Sequence, residues 1–204
     1  MTEYHREVGP YEVRPATEAD LPGARSVMLD TFYREFGYGY RPEWHGDVID
    51  LAGSYLTPDR HQLFVAVEGR EVVATTGVRA TAPSSPPHPA WLAARYPGGT
   101  TAQLFRVYVR PEHRRHRLAR TLVEVATEFV DRTPGYERLY LHTDTRVPGA
   151  EPFWRTVAAE VHDARDGDRT GFQTVHFEIP LRRTPVPAGG VPRNDDRRDD
   201  LRQG

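Results

Sequence analysis

The stretch AQLFRVYV, residues 102–109, is dense in β-branched, aromatic and aliphatic side chains, and Pro111 ends it. Soon after, Leu118, Leu122, Val123, Ala126, Phe129 and Val130 recur at three- and four-residue spacing, which predicts one long amphipathic helix. A strand leading into a helix in this way implies a sheet with helices on its faces.

The connection is the second constraint. Between Arg110 and Arg120 it carries five arginines and two histidines in eleven positions. A nucleic-acid patch, a solvated helix face and an anion site all fit that composition. The chain as a whole has 27 basic and 29 acidic residues, a net charge of −2, so no global positive field draws polyanions. Glu124 and Glu128 follow on the same helix, where a nucleic-acid face would stay basic. The charge therefore sits at the helix N-terminus, where unsatisfied N–H groups and the helix dipole already favour an anion. Taken alone, the junction is either an anion site or a solvated face.

The flanking segments complete the class. Thr17 before Glu18 and Asp20 is an N-cap signal, and Leu21, Ala24, Val27, Met28 and Phe32 mark the apolar face of a helix. EWHGDVIDLAGSYL, 43–56, repeats that pattern more weakly, and HQLFVAVEGREVVATTGVRA, 61–80, reads as a hairpin about Gly69. The proline-rich stretch 81–101 predicts a long loop with a helical turn near Trp91 to Arg95. Residues 137–144 predict a strand, 149–161 a helix and 171–181 a last strand. The order β-α-α-β-β-β-α-β-α-β implies an α/β fold, a mixed central sheet flanked by helices. One domain is expected over 11–183, with a flexible N-terminus at 1–10 and a disordered tail at 184–204, where proline, glycine and mixed charge dominate.

Every basic residue is arginine, which excludes a Schiff-base lysine, and the absence of cysteine excludes thiolate nucleophiles and thiolate metal sites; no metal is expected. No run approaches the roughly 18 apolar residues of a membrane span. The charged N-terminus lacks the apolar core of a secretory signal. A cytoplasmic protein without a membrane or nucleic-acid partner is the expectation.

The segment QLFRVYVRPEHRRHRLARTLVE, 103–124, resembles the signature of the GCN5-related N-acetyltransferase (GNAT) superfamily. Val109-Arg110-Pro111 matches its V-x-P strand end. Arg114, Leu118 and Ala119 match the first, fifth and sixth positions of its R/Q-x-x-G-x-G/A loop, while Arg117 replaces the middle glycine. The resemblance covers roughly residues 11 to 180 and implies the GNAT fold with acetyl-CoA, or another acyl-CoA, as cosubstrate. Cofactor contacts would fall on Val107, Tyr108, Val109, Arg114, Arg115, His116, Arg117, Leu118, Ala119 and Arg120. Backbone N–H groups of 107–109 would receive the developing oxyanion.

The resemblance also implies departures. Gln103 stands where many members carry a glutamate base, and Trp154 stands where a tyrosine is thought to protonate the leaving thiolate. Candidates for proton transfer are then Glu35, His45, Asp47, His142 and Asp144, with Trp154 retained at the acid's position. The aromatic segment YREFGYGYRPEW, 33–44, offers Tyr33, Tyr38, Tyr40 and Trp44 to an acceptor, with Trp91 on a loop expected to serve as a lid. The expected activity is acetyl transfer to a small-molecule amine by direct attack. The alternative is an acyl-CoA-binding protein of the same fold with lost or altered transfer. A homodimer is compatible with either.

Overall fold

The computed structural model describes residues 4–168 and 171–182. The tail expected at 184–204 lies outside the described residues.

Strands β1 (Arg6–Val8), β2 (Tyr11–Pro15), β3 (Gln62–Glu68) and β4 (Glu71–Ala80) run antiparallel. Beyond them lie β5 (Thr101–Val109), β6 (Arg138–Asp144), β7 (Ala159–Asp163) and β8 (Thr174–Ile179). They form one mixed sheet in the order β1-β2-β3-β4-β5-β6-β8-β7. Its parallel pair, β5 with β6, is joined through helix α4 (Leu118–Arg132), as parallel strands require a crossover.

Side chains alternate across the sheet. Leu63, Val65 and Val67 of β3 pack with α1 (Leu21–Asp30) and α2 (Pro42–Ile49), whereas Phe64 and Ala66 pack with Leu118, Leu122, Ala126 and Phe129 of α4. The two short helices follow the same division. The α3 helix (Ala90–Arg95) covers Tyr140 on the α1 face, and α5 (Ala150–Trp154) joins the core on the α4 face. Thr17 opens the first helical segment as expected, its N–H and hydroxyl both donating to Asp20 Oδ2 at 2.7 and 2.8 Å.

Two expected boundaries moved. Residues 6–8, expected within a flexible N-terminus, form β1, because Gly9 at φ +60° turns the chain back onto β2. The helix expected over 149–161 stops at Trp154, and 159–163 instead becomes β7. There its backbone pairs with the open edge of β8, while Arg155 bridges Glu151 in the helix and Glu160 in the strand.

Two irregularities shape the middle of the sheet. The β5–β6 ladder holds only at Thr101↔Arg138, Ala102↔Leu139 and Gln103↔Tyr140, so Leu104–Val109 and Leu141–Asp144 part from one another. On its other side β5 carries a bulge. Gly77 faces Phe105 and Thr75 faces Tyr108, which sets Arg106 and Val107 against the single residue Thr76. Arg106 takes φ +55° there, and a bulge of this kind bends and twists its strand. Tyr55 lies flat against Gly77, where an added Cβ would stand 2.4 Å from the tyrosine ring. Gly77→Ala is therefore expected to destabilise the fold by roughly 1–3 kcal/mol through overpacking. A thermal melt showing an unchanged midpoint would count against this account of the bulge.

Candidate functional site

The parting strands open a cleft of about 1340 Å³. That exceeds the roughly 300–1000 Å³ usual for one small ligand and leaves room for two reactants. One side is made by Val107 and Val109, the start of α4, and α5. The other is made by Phe36, Tyr38, Trp44 and Phe172 with His88, His142 and His176.

The bulge governs how β5 presents its backbone. Arg110 N–H donates to Val73 O across the ladder (3.0 Å), so strand alternation turns the N–H and C=O groups of Val109 and Val107 to the opposite, unpaired edge. Arg114 Nε donating to Val109 O at 3.1 Å fits that orientation. The bulge is held from behind. Arg106 Nε and Nη2 donate to Asp47 Oδ2 and Oδ1 at 3.0 and 2.5 Å, and Nη2 also donates to Trp44 O at 2.9 Å. Tyr55 donates to Asp47 Oδ2 at 2.6 Å, and Thr75 Oγ1 donates to Arg106 O at 2.7 Å. Burial pushes the Asp47 carboxyl upward, but the hydrogen bond and charge of Arg106, with the Tyr55 hydrogen bond and the Arg79 charge, together outweigh it and leave its pKa below the usual carboxylate value. Asp47 is thus a structural anion.

At the mouth, Arg115 and Arg117 adopt φ +67° and +63° with His116 between them. Alternating backbone hands of this kind gather successive N–H groups into an anion-binding concavity. The α4 N-terminus has no side-chain cap, so its first N–H groups remain available to a ligand. Arg117 therefore keeps the left-handed backbone that its glycine position implies, with its side chain exposed. These features suit a pyrophosphate.

The comparisons with known proteins agree with this geometry. A model of the acetyltransferase (GNAT) family matches residues 25–158. The chain belongs to the GNAT acetyltransferase family. N-acetyltransferase 8B of Rattus norvegicus is 33% identical over 106 residues, spanning 52% of this chain and 42% of the rat protein. The fold is that of an acetyltransferase from Streptococcus agalactiae (TM-score 0.61, 16% identity, 85% of this chain and 99% of that one). It is similar as well to that of the GNAT domain of S. lividans PAT (TM-score 0.62, 18% identity, 89% and 99%).

Within this GNAT fold the expected site residues divide. Tyr38, Trp44, Glu35, His142, Asp144 and Trp154 all line the cleft, as do Val107, Tyr108, Val109, Arg114, Arg115 and Ala119. Tyr33 and Tyr40 do not: the exposed Tyr33 ring lies over Gly39, and Tyr40 leans on His45. Leu118 is buried in the core, Arg120 donates to Thr156 Oγ1 at 2.9 Å, and His116 packs on Tyr11.

Several candidates for proton transfer are already engaged. Glu35 pairs with Arg114, and Asp144 accepts from Arg146 Nε and Nη2 at 2.9 and 2.6 Å. Trp154 is buried beside Phe153. His45 stacks on Phe32 with 3.9 Å between ring centroids, and its Nδ1 accepts the Arg41 N–H at 2.9 Å. His88 and His176 were not singled out from the sequence, because 88 lies in a proline-rich loop and 176 on the far strand. Only the β6–β8 ladder, with His142 opposite His176, brings them together.

Burial first, and neighbouring cations and histidines second, lower the pKa of His45 to about 4 and that of His176 to about 3; burial alone lowers His88. His142 is exposed to the cleft. His45, His88 and His176 bind protons less readily folded than unfolded, so their contribution is present above about pH 6.5 and is lost as pH falls toward 4. The melting temperature should therefore fall from pH 7 to pH 5, with a shallower slope in His176→Gln; identical slopes would refute this. Arg117→Gly relieves a left-handed side-chain conformation costing roughly 1–2 kcal/mol. It should raise the midpoint of the ligand-free protein by about 2–4 °C in differential scanning calorimetry.

Proposed function

We propose that this chain is an acetyl-CoA-dependent N-acetyltransferase that acylates the amine of a small molecule by direct attack. The observation that carries this reading is the parting of β5 and β6 after Gln103 and Tyr140. It leaves the Val107 and Val109 edge open beside the uncapped α4 N-terminus. Acetyl-CoA supplies an activated acyl group as a thioester. The N–H groups of the loop 114–117 and of the first turn of α4, with Arg115 and Arg117, hold the pyrophosphate. Arg114 bridges Val109 O and Glu35 across the same channel and exchanges these partners for the cosubstrate.

The Val107 N–H donates to the thioester oxygen as negative charge grows on it. A donor fixed before the reaction spares the reorganisation that solvent would need. The attacking amine must be neutral, and His142 is the group on the acceptor side placed to take its proton. Tyr140 Oη lies 2.7 Å from His176 Nδ1 and 3.3 Å from His142 Nδ1. The single phenolic proton serves one of these contacts: Tyr140 donates to His176 over the shorter distance and accepts from His142 Nδ1–H. That assignment leaves the His142 Nε2 lone pair to the cleft.

Mixing acetyl-CoA with an accepted amine should release free CoA, and His142→Gln should lower kcat by about 10²-fold while acetyl-CoA still raises the melting temperature. The alternative, acyl-CoA binding with lost or altered transfer, is favoured by one observation: Gln103 is buried at the cleft floor and Trp154 in its wall, where the family's acid and base stand. Stabilisation by acetyl-CoA without CoA release from any amine would select that alternative.

A further inference from the structure

The acceptor side of the cleft has a composition that narrows its substrate. Its wall is aromatic: Phe36 meets Tyr108 at 5.8 Å, Tyr38 meets Trp44 at 6.0 Å, and Trp44 meets Phe172 at 5.2 Å between ring centroids. Trp44 and Phe172 are 50% and 46% exposed at its mouth. Two large rings left half in water beside a cavity are an unfilled apolar contact.

The carboxylates that line the cleft are matched within the fold. Asp144 is taken by Arg146 and Glu35, nearer the mouth, by Arg114; behind the wall Asp47 is taken by Arg106 and Tyr55. Among the described residues no lining carboxylate is left unpaired to neutralise a second ammonium group, and Arg106 has its guanidinium committed to Asp47 and the Trp44 carbonyl. The rim repels a second cation as well. The Arg41 guanidinium lies 5.9 Å from the Trp44 ring centroid and that of Arg146 lies 5.2 Å from the Phe172 centroid. The opposite wall, His88, His142 and His176, is neutral near pH 7.

We infer that the acceptor is a monoamine whose body is an aromatic or similarly flat, uncharged group, resting against the exposed faces of the Trp44–Phe172 pair with its single amine directed at His142 and Val107. This inference rests on the transferase reading above. A polyamine or an aminoglycoside would bring extra positive charge to a cleft whose lining carboxylates, among the described residues, are already paired.

The test is CoA release by the full chain at saturating acetyl-CoA, with 2-phenylethylamine, tryptamine, n-butylamine and spermidine as acceptors. The expected kcat/KM for the two aromatic amines is about 10-fold or more above that for n-butylamine, from burial of the ring, with spermidine lowest. In Trp44→Ala the ratio of 2-phenylethylamine to n-butylamine should collapse toward unity. Phe172→Ala, at an exposed position, gives the same readout should Trp44→Ala not fold. A preference for spermidine, or a ratio unchanged in both variants, overturns the acceptor assignment and leaves the transferase reading standing. No CoA release from any of these or from a wider amine panel, with acetyl-CoA still stabilising the protein, overturns the transferase reading and the acceptor assignment together.

Discussion

The Asp47–Arg106 ion pair sits where the two halves of this molecule meet, and the geometry of the cleft depends on it. Arg106 occupies a bulge in the central strand at a backbone angle that L-residues rarely adopt, which costs of order 1–3 kcal/mol and persists only where neighbours over-determine it. Here the neighbours are Asp47 and the Trp44 carbonyl from α2, Tyr55 from the turn after it, and Thr75 from β4. A buried pair of this sort adds little stability beyond what an apolar pair would give, since desolvation offsets attraction; breaking it leaves a buried charge and is far worse. Its value is geometric. It ties the aromatic wall to the strand whose backbone edge opens on the cleft, so both walls keep one register.

The same arrangement explains why the cleft has two chemically different ends. The α4 end is open, uncapped and rich in arginine, which suits a flexible polyanion arriving from solvent. The acceptor end is aromatic, with its charges cancelled inside the fold and its histidines held neutral. Low local polarity there strengthens any hydrogen bond to a developing oxyanion. A site of this design depends on position more than on a strong base, in keeping with glutamine and tryptophan at the places of the family's usual acid and base.

Much of the fold was legible because its signals are local. The alternation in β3 and β4, the apolar stripe of α4 and the strand-to-helix junction follow from period and punctuation within a few residues. The GNAT resemblance rested on the same junction and was supported by the family match and by the fold. What failed was also local in cause. Residues 6–8 and 159–163 are short and weakly patterned, and they become strands only because an open sheet edge offers them hydrogen bonds. Tyr33 and Tyr40 share the composition of Tyr38 and Trp44, yet the left-handed glycines at 37 and 39 turn the chain so that only the latter two reach the cleft.

The sequence by itself determined the class of fold, the strand-to-helix junction with its arginines and the chemistry withheld from this chain, since no lysine or cysteine is present to act. Those conclusions depend on residue type and short-range spacing, which the chain carries openly. Tertiary structure alone decided that Asp47 anchors a strand, that Glu35 and Asp144 are occupied by arginines, and that His88, His142 and His176 from a loop and two strands meet one another. Their partners lie tens of residues away, and a pairing register that places His142 opposite His176, or Arg106 beside Asp47, is a property of the assembled sheet.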